Sequence, residues 1–169
     1  MIKTVKLPLF LKQIDTLLSK YSHLQIKNVQ IEKESLEYNA TVLDLDSKKA
    51  IFRKAKITPK KMGFFVTLWK RNKYGVTTPF EKKDEFDFVI VEVNQLGKTG
   101  HFIFNKNILM EKGIISHLKN GKRGFRIYPT WDVPSNKQAV NSQIWQSQYF
   151  FEHKKMNSQT NSRLQEILR

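Results

Sequence analysis

Cysteine is absent from the 169 residues, which excludes a disulfide framework and thiolate metal sites and fits a reducing cytoplasm. Acidic side chains are scarce, 15 against 30 lysines and arginines, and between Ser47 and Phe80 there is none. No apolar run is long enough for a signal peptide or a membrane span: the stretch from Leu7 to Leu11 is interrupted by Pro8 and closed by Lys12. His23, His101, His117 and His153 lack the spacing of a zinc or iron site, so no metal or other cofactor is implied. A P-loop, a dinucleotide fingerprint, a nucleophile elbow and a zinc-protease helix are all missing. So are internal repeats, low-complexity tracts and interdomain linkers. These absences predict one soluble cytoplasmic domain with no membrane contact.

What is present is a foldable core under a strongly basic exterior. Hydrophobic residues make up 40% of the chain and aromatics 12%, enough for a packed interior at this length. A net charge of +15 and a pI near 10.0 favour nucleic acid or another phosphate-rich anion as partner, since phosphate contacts supply sequence-independent affinity. A lysine-rich proteome from an AT-rich genome would produce the same composition, so charge density alone does not separate the two.

The charge concentrates in KAIFRKAKITPKKMGFFVTLWKR, residues 49–71. Two apolar runs, Ala50 to Ile57 and Phe64 to Trp69, flank a Thr58 to Gly63 turn, which predicts a basic hairpin carrying the working surface. Strand alternation places Arg53 on one face with Ile51, Ala55 and Ile57. A guanidinium there must be paired or must bind something.

Along the rest of the chain, Phe10, Leu11, Ile14, Leu17, Leu18 and Tyr21 recur at helical spacing, predicting a helix over Pro8 to Tyr21 that packs on a sheet. An acidic strand from Leu36 to Leu45 should precede the basic hairpin and pair with it through opposite charges. Phe86 to Val93 has the β-branched content of a buried strand, and His101 to Phe104 is another short strand. Asn107 is expected to cap a short helix through Glu111 that Gly113 stops. A basic turn at Gly121 to Gly124 leads into a strand from Phe125 to Tyr128. A second helix is predicted from Gln138 to Phe151. The fold expected is α+β: a mixed, mostly antiparallel sheet flanked by N-terminal and C-terminal helices, with residues 1–152 as the domain. Residues 153–169 read as a polar tail that Leu164, Ile167 and Leu168 can turn helical.

Four groups of residues carry a family resemblance. They are Glu37-Tyr38-x-Ala40; Phe52-Arg53-x-Ala55-Lys56-Ile57-Thr58-Pro59-x-Lys61-x-Gly63-x-Phe65-Val66-x-x-Trp69-Lys70-Arg71; Gly121-Lys122-Arg123-Gly124-x-Arg126-x-Tyr128-Pro129-x-Trp131-Asp132; and Gln143-x-Trp145-Gln146-x-x-Tyr149-Phe150. With them the chain resembles MepB-like proteins from about Glu34 to Phe151. The family is named for a product encoded beside a bacterial multidrug exporter and its repressor, and the resemblance implies no particular reaction. Asn105 and Thr130 stand where the family often has proline.

Motif and chemistry together nominate Arg53, Lys56, Lys61, Trp69, Lys70, Arg71, Lys122, Arg123, Arg126 and Trp131 as binding residues, with Glu37 and Asp132 as structural or charge partners. Arginine offers a bidentate fork for phosphate and tryptophan a stacking face for a base. The bland account of the same residues is an ion-pair and aromatic network holding strands to the last helix. Trp145, at helical spacing with Ile144 and Tyr149, reads as core.

Binding of nucleic acid or nucleotide phosphate is the leading functional expectation. An alternative is a metal-dependent nuclease of the PD-(D/E)XK type, with Mg held by carboxylates such as Glu37, Asp44 and Asp87. Its usual spelling puts an acid two residues before Lys56, where Lys54 stands; Asp46-Ser47-Lys48 satisfies Asp-x-Lys at a predicted turn. The third class is a small-anion or effector-binding protein linked to drug export. The sharpest single expectation is a buried Glu37–Arg53 pair across the acidic and basic strands, with Arg53 keeping donors free for a ligand anion.

Overall fold

Why the first helix forms is plain from Pro8. Proline lacks the donor that a helix start leaves unused, and after it a 3-10 turn, Leu9–Leu11, runs into α1 (Lys12–Tyr21). Leu11, Ile14, Leu17 and Leu18 form its buried stripe. The computed structural model describes residues 6–169.

The stripe packs on a six-stranded sheet made of β1 (Ile26–Ile31), β2 (Thr41–Leu45), β3 (Lys48–Lys54), β8 (Phe88–Gln95), β9 (Lys98–Asn105) and β11 (Phe150–Glu152), in that spatial order. Every neighbouring pair is antiparallel except β3 and β8. The sheet is therefore mixed and mostly antiparallel, as the turn-rich sequence predicts. Strands β3 and β8 are central, and their near-continuous apolar runs suit burial on both faces. Ala50, Phe52, Phe88 and Ile90 face one core with α1 and with Leu164 and Leu168 of α4 (Ser158–Leu168). Ile51, Val89 and Val91 face the other.

That second core is closed by an outer layer: a three-stranded sheet of β4 (Lys56–Thr58), β5 (Lys61–Thr67) and β10 (Gly124–Ile127), with α2 (Lys106–Glu111) and α3 (Lys137–Gln146). A two-stranded ribbon, β6 (Lys70–Arg71) with β7 (Thr77–Thr78), lies in the same excursion between β3 and β8.

The predicted basic hairpin is thus divided between two sheets. Residues up to Lys54 pair with β2 and β8, whereas only Lys56–Thr58 pairs with β5. The chain leaves the large sheet at Ala55, whose N–H still donates to Glu92 at 2.9 Å. Strand β3 has a ladder partner on each edge, β2 and β8, so it has no edge left for β5. The β4–β5 turn is tight, Thr58 opposing Lys61, and Met62–Gly63 forms an irregularity behind it. Gly63 has φ +84, and a Cβ there would lie 2.6 Å from the Tyr128 ring, so both conformation and space require glycine.

Three further boundaries differ from expectation. Leu36–Tyr38 is a 3-10 turn between left-handed Ser35 and Asn39, so the strand begins only at Thr41. Helix α2 is capped by Asn105, whose side chain accepts from the Ile108 N–H at 2.9 Å, and not by Asn107. The last predicted helix stops at Gln146; a 3-10 turn follows, and Phe150–Glu152 pairs with β9 because Phe150 and Phe151 fill opposite cores.

Candidate anion-binding cleft

The outer sheet sends alternate side chains to opposite sides. Phe64, Val66, Phe125 and Ile127 enter the core, which leaves Phe65 and Arg126 on the outer face, opposite each other in register and with Lys56 opposing Phe65 from β4. Helix α3 is tied beside this sheet by two glutamines. Buried Gln146 donates to the Arg126 carbonyl (2.9 Å) and accepts from the Tyr128 N–H (2.8 Å), and Gln143 donates to the carbonyls of Pro129 and Asp132 (2.9 and 2.8 Å). Trp145 packs inward on Phe104 with ring centres 5.5 Å apart.

Between this helix and the sheet lies a cleft of about 760 Å³. Its lining includes Lys60, Lys61, Lys112, Lys122 and Arg126, and no Asp or Glu. Phe65, Tyr128 and Trp145 contribute rings, and Ser135, Asn136 and Gln138 bring the start of α3 to its rim. A helix N-terminus carries partial positive charge and unsatisfied N–H groups, so the helix reinforces the cations. Arg126 is pre-set: Nη1 donates to the Met62 carbonyl at 3.1 Å and Nη2 to the Thr58 hydroxyl. Lys122 is placed by the basic turn, which is pinned by the Lys122 N–H to Ile114 carbonyl bond (2.8 Å) and by the Gly121 N–H to Ser116 hydroxyl bond (2.7 Å).

Of the predicted binding residues, Lys61, Lys122 and Arg126 line this cleft. Lys56 sits beside it over the Tyr38 ring, 4.6 Å from the centroid. Exposed Arg123 donates to the Thr77 hydroxyl at 3.3 Å. The remainder lie elsewhere. Lys70 bridges Glu81 and Asp84 at 2.7 and 2.6 Å; although burial works against it, those carboxylates hold its pKa above the ordinary value. Arg71 grips Glu34 with Nε at 2.8 and 2.9 Å and Nη2 at 2.6 Å, and stacks against Trp69. Trp131 donates from its indole to Gln95 at 3.0 Å and packs edge-on to Phe150. Burial pushes the neighbouring Asp132 carboxyl up, against the pull of Lys98.

Arg53 is 2% exposed, but its partner is Glu32, at 2.8 Å, and not Glu37. The turn at Leu36–Tyr38 removes Glu37 from the strand, while Glu32 is brought in at the end of β1, its N–H bonded to the Ala40 carbonyl. Arg53 also donates to the Phe52 carbonyl at 2.9 Å. Its Nε is without a partner but is buried and away from the cleft. Burial lowers the Arg53 pKa and Glu32 opposes that shift.

Sequence spacing misses one buried cluster. His101 Nδ1 lies 2.7 Å from His153 Nε2, and His101 Nε2 lies 3.0 Å from Glu92. The other Glu92 oxygen accepts from Asn94 at 2.7 Å. Burial, with His101 alongside, drives the His153 pKa down to about 4. Its sequence signal is Glu92 itself, a carboxylate inside the apolar run FVIVEV, which demands a partner.

The carboxylates considered for a metal are dispersed. Asp44 accepts from Asn28 (2.8 Å), Asp46 pairs with Lys27 (2.9 Å), and Asp87 accepts from the Lys49 N–H (2.9 Å). Among the described residues no three His, Asp or Glu side chains converge as a metal-holding group, and no helix is long and apolar enough to cross a membrane.

The chain is therefore an α+β protein whose outer sheet and third helix frame a cationic cleft. The sequence model of the MepB-like family matches residues 32–152, and the chain belongs to that family. A crystal structure of MepB is similar to it at 32% identity and TM-score 0.76, covering 86% of this chain and 99% of that one. A bacterial homing endonuclease structure aligns at 16% identity and TM-score 0.39, over 70% of this chain and 76% of that one, a likeness too slight to bear on function. Comparison with curated proteins gives no match.

Proposed function

We propose that this protein binds nucleic acid or nucleotide phosphate in the cleft between α3 and the outer sheet. The observation that carries the reading is the lining: five cations and no carboxylate, in a molecule whose other cations at Arg53, Lys70 and Arg71 are matched to acids. Lys112 pairs with Glu111 at 3.4 Å, whereas Lys60, Lys61, Lys122 and Arg126 meet no carboxylate among the described residues; cations so left beside a helix start are an electrostatic footprint for phosphate. The proposed seat accordingly shifts from the 49–71 segment with Lys122, Arg123 and Arg126 to Lys60, Lys61, Lys112, Lys122 and Arg126. Scattered carboxylates favour binding over metal-assisted cleavage, which needs them gathered on the ion.

Fluorescence anisotropy with a labelled oligonucleotide tests this. Binding should be measurable at low salt and weaken steeply as salt rises, with a log–log slope of about −0.7 to −0.9 per phosphate neutralised. Absence of binding to DNA, RNA and nucleotides at low salt would remove the proposal.

A further inference from the structure

We infer that the cleft takes single-stranded rather than duplex nucleic acid, with an unpaired base stacked on Phe65; this rests on the phosphate-binding reading above. Phe65 belongs to neither hydrophobic core, although it is a bulky ring in the middle strand of its sheet. Its neighbours Phe64 and Val66 are 2% and 0% exposed, whereas Phe65 is half-buried and lines the cleft.

The ring leans across to the adjacent strand. A Cβ on Gly124, in the adjacent strand, would stand 2.7 Å from Phe65 Cζ and 3.3 Å from Cε2. The ring therefore occupies the space that a side chain at position 124 would fill. The tip of the ring reaches over Gly124, and Phe65 is part of the cleft lining. Arg126 and Lys56 flank it on the same rung, and directly opposed strand positions are about 5 Å apart. Of the two, Arg126 lines the cleft while the Lys56 ammonium is held over Tyr38; an aromatic ring beside the Arg126 guanidinium matches a base beside its phosphate.

A duplex cannot use this arrangement. Its bases stack on one another and offer only their edges in the grooves, so a flat ring beside a cation gains from a base only when that base is unpaired. Trp145 gives the cleft a further ring, with Lys112 5.8 Å from its centroid. Beyond it a shallow apolar shelf continues along α3 past Trp145 to Ile144, which is 63% exposed. Successive bases have a path along the helix as well as a seat on the sheet.

The test compares fluorescein-labelled single-stranded DNA and RNA oligonucleotides with the matching DNA duplex, at one salt concentration, using the full chain. A single strand should bind about tenfold or more tighter than the duplex. Phe65→Leu keeps the apolar bulk without the ring and should weaken single-strand binding by about 5- to 100-fold, leaving the salt slope unchanged because no phosphate contact is lost. Phe65→Tyr, which retains the ring, should preserve affinity; circular dichroism of both variants confirms the fold. Duplex binding equal to that of both single strands, or Phe65→Leu binding them normally, overturns the inference while phosphate binding stands. Failure of the wild-type chain to bind either form at low salt overturns both.

Discussion

Two regions of this molecule are basic in sequence, but acids neutralise one and leave the other uncompensated. Around Arg53, Lys70 and Arg71 each cation meets a carboxylate: Glu32, the Glu81–Asp84 pair and Glu34. Around Lys60, Lys61, Lys122 and Arg126 no carboxylate lines the cleft, and Arg126 is held by neutral oxygens. The difference teaches that a run of lysines and arginines marks a binding surface only where the fold brings no acid to it. Acidic segments at 32–37 and 81–87 fold back onto one part of the basic stretch, leaving the β4–β5 turn and the 121–126 segment to face solvent.

The largest expected effect comes from unbalancing the paired region. Glu32→Ala leaves the Arg53 cation buried with no anion, and urea denaturation should show a loss of about 3 kcal/mol, the lower end of the range for broken buried pairs because Glu32 is partly open to water. A loss below about 1 kcal/mol would place the pair with exposed ones. Nucleic-acid affinity should not change.

The next effect is a pH dependence in neither region, which serves as a control on both. His153 titrates at about 4 in the folded chain against an ordinary 6.5, so the unfolded chain binds the extra proton between those values. Stability from this site is complete above pH 6.5 and declines as pH falls toward 4. Glu92, kept below the ordinary carboxyl value by His101 despite its burial, adds to acid lability only below about pH 4.5. Thermal melts across pH 4 to 7 should fall with acidification, and His153→Gln should flatten the upper part of that decline. An unchanged profile in the variant would show that His153 protonates freely.

Smaller, and aimed at the cleft, is Lys122→Ala. Oligonucleotide affinity should drop several-fold and the salt slope should shrink by about one phosphate contact, with stability unaltered since Lys122 is exposed. The smallest effect is expected from Arg71→Ala, which removes a cation already spent on Glu34. Equal losses from Lys122→Ala and Arg71→Ala would erase the contrast between the regions.

Much of the architecture is legible in the residues. The α1 stripe, the buried run at Phe88 to Val93 and the glycine-bounded basic turn follow from periodicity and turn chemistry, and they secure the α+β class. The candidate site is legible only in part. Lys61, Lys122 and Arg126 are identifiable by charge and motif, but Lys60 and Lys112 are ordinary lysines until the fold sets them beside the cleft. Phe65 reads as one more strand residue, because nothing local says that Gly124 will lie under its ring.

By itself the sequence determined the α1 stripe, the buried run from Phe88 to Val93, the excess of positive charge and the burial of Arg53, since these depend on composition and on neighbours a few residues apart. Only the tertiary structure decided that β3 pairs with β8 instead of β5, that Glu32 replaces Glu37 as the partner of Arg53, and which cations stay unpaired. The reason is range. Strand pairing is settled by competition among all available edges, and a charge is neutralised by whichever opposite charge folding brings within about 4 Å. His101 and His153, 52 residues apart in the chain and 2.7 Å apart in space, show how completely that step lies outside local sequence.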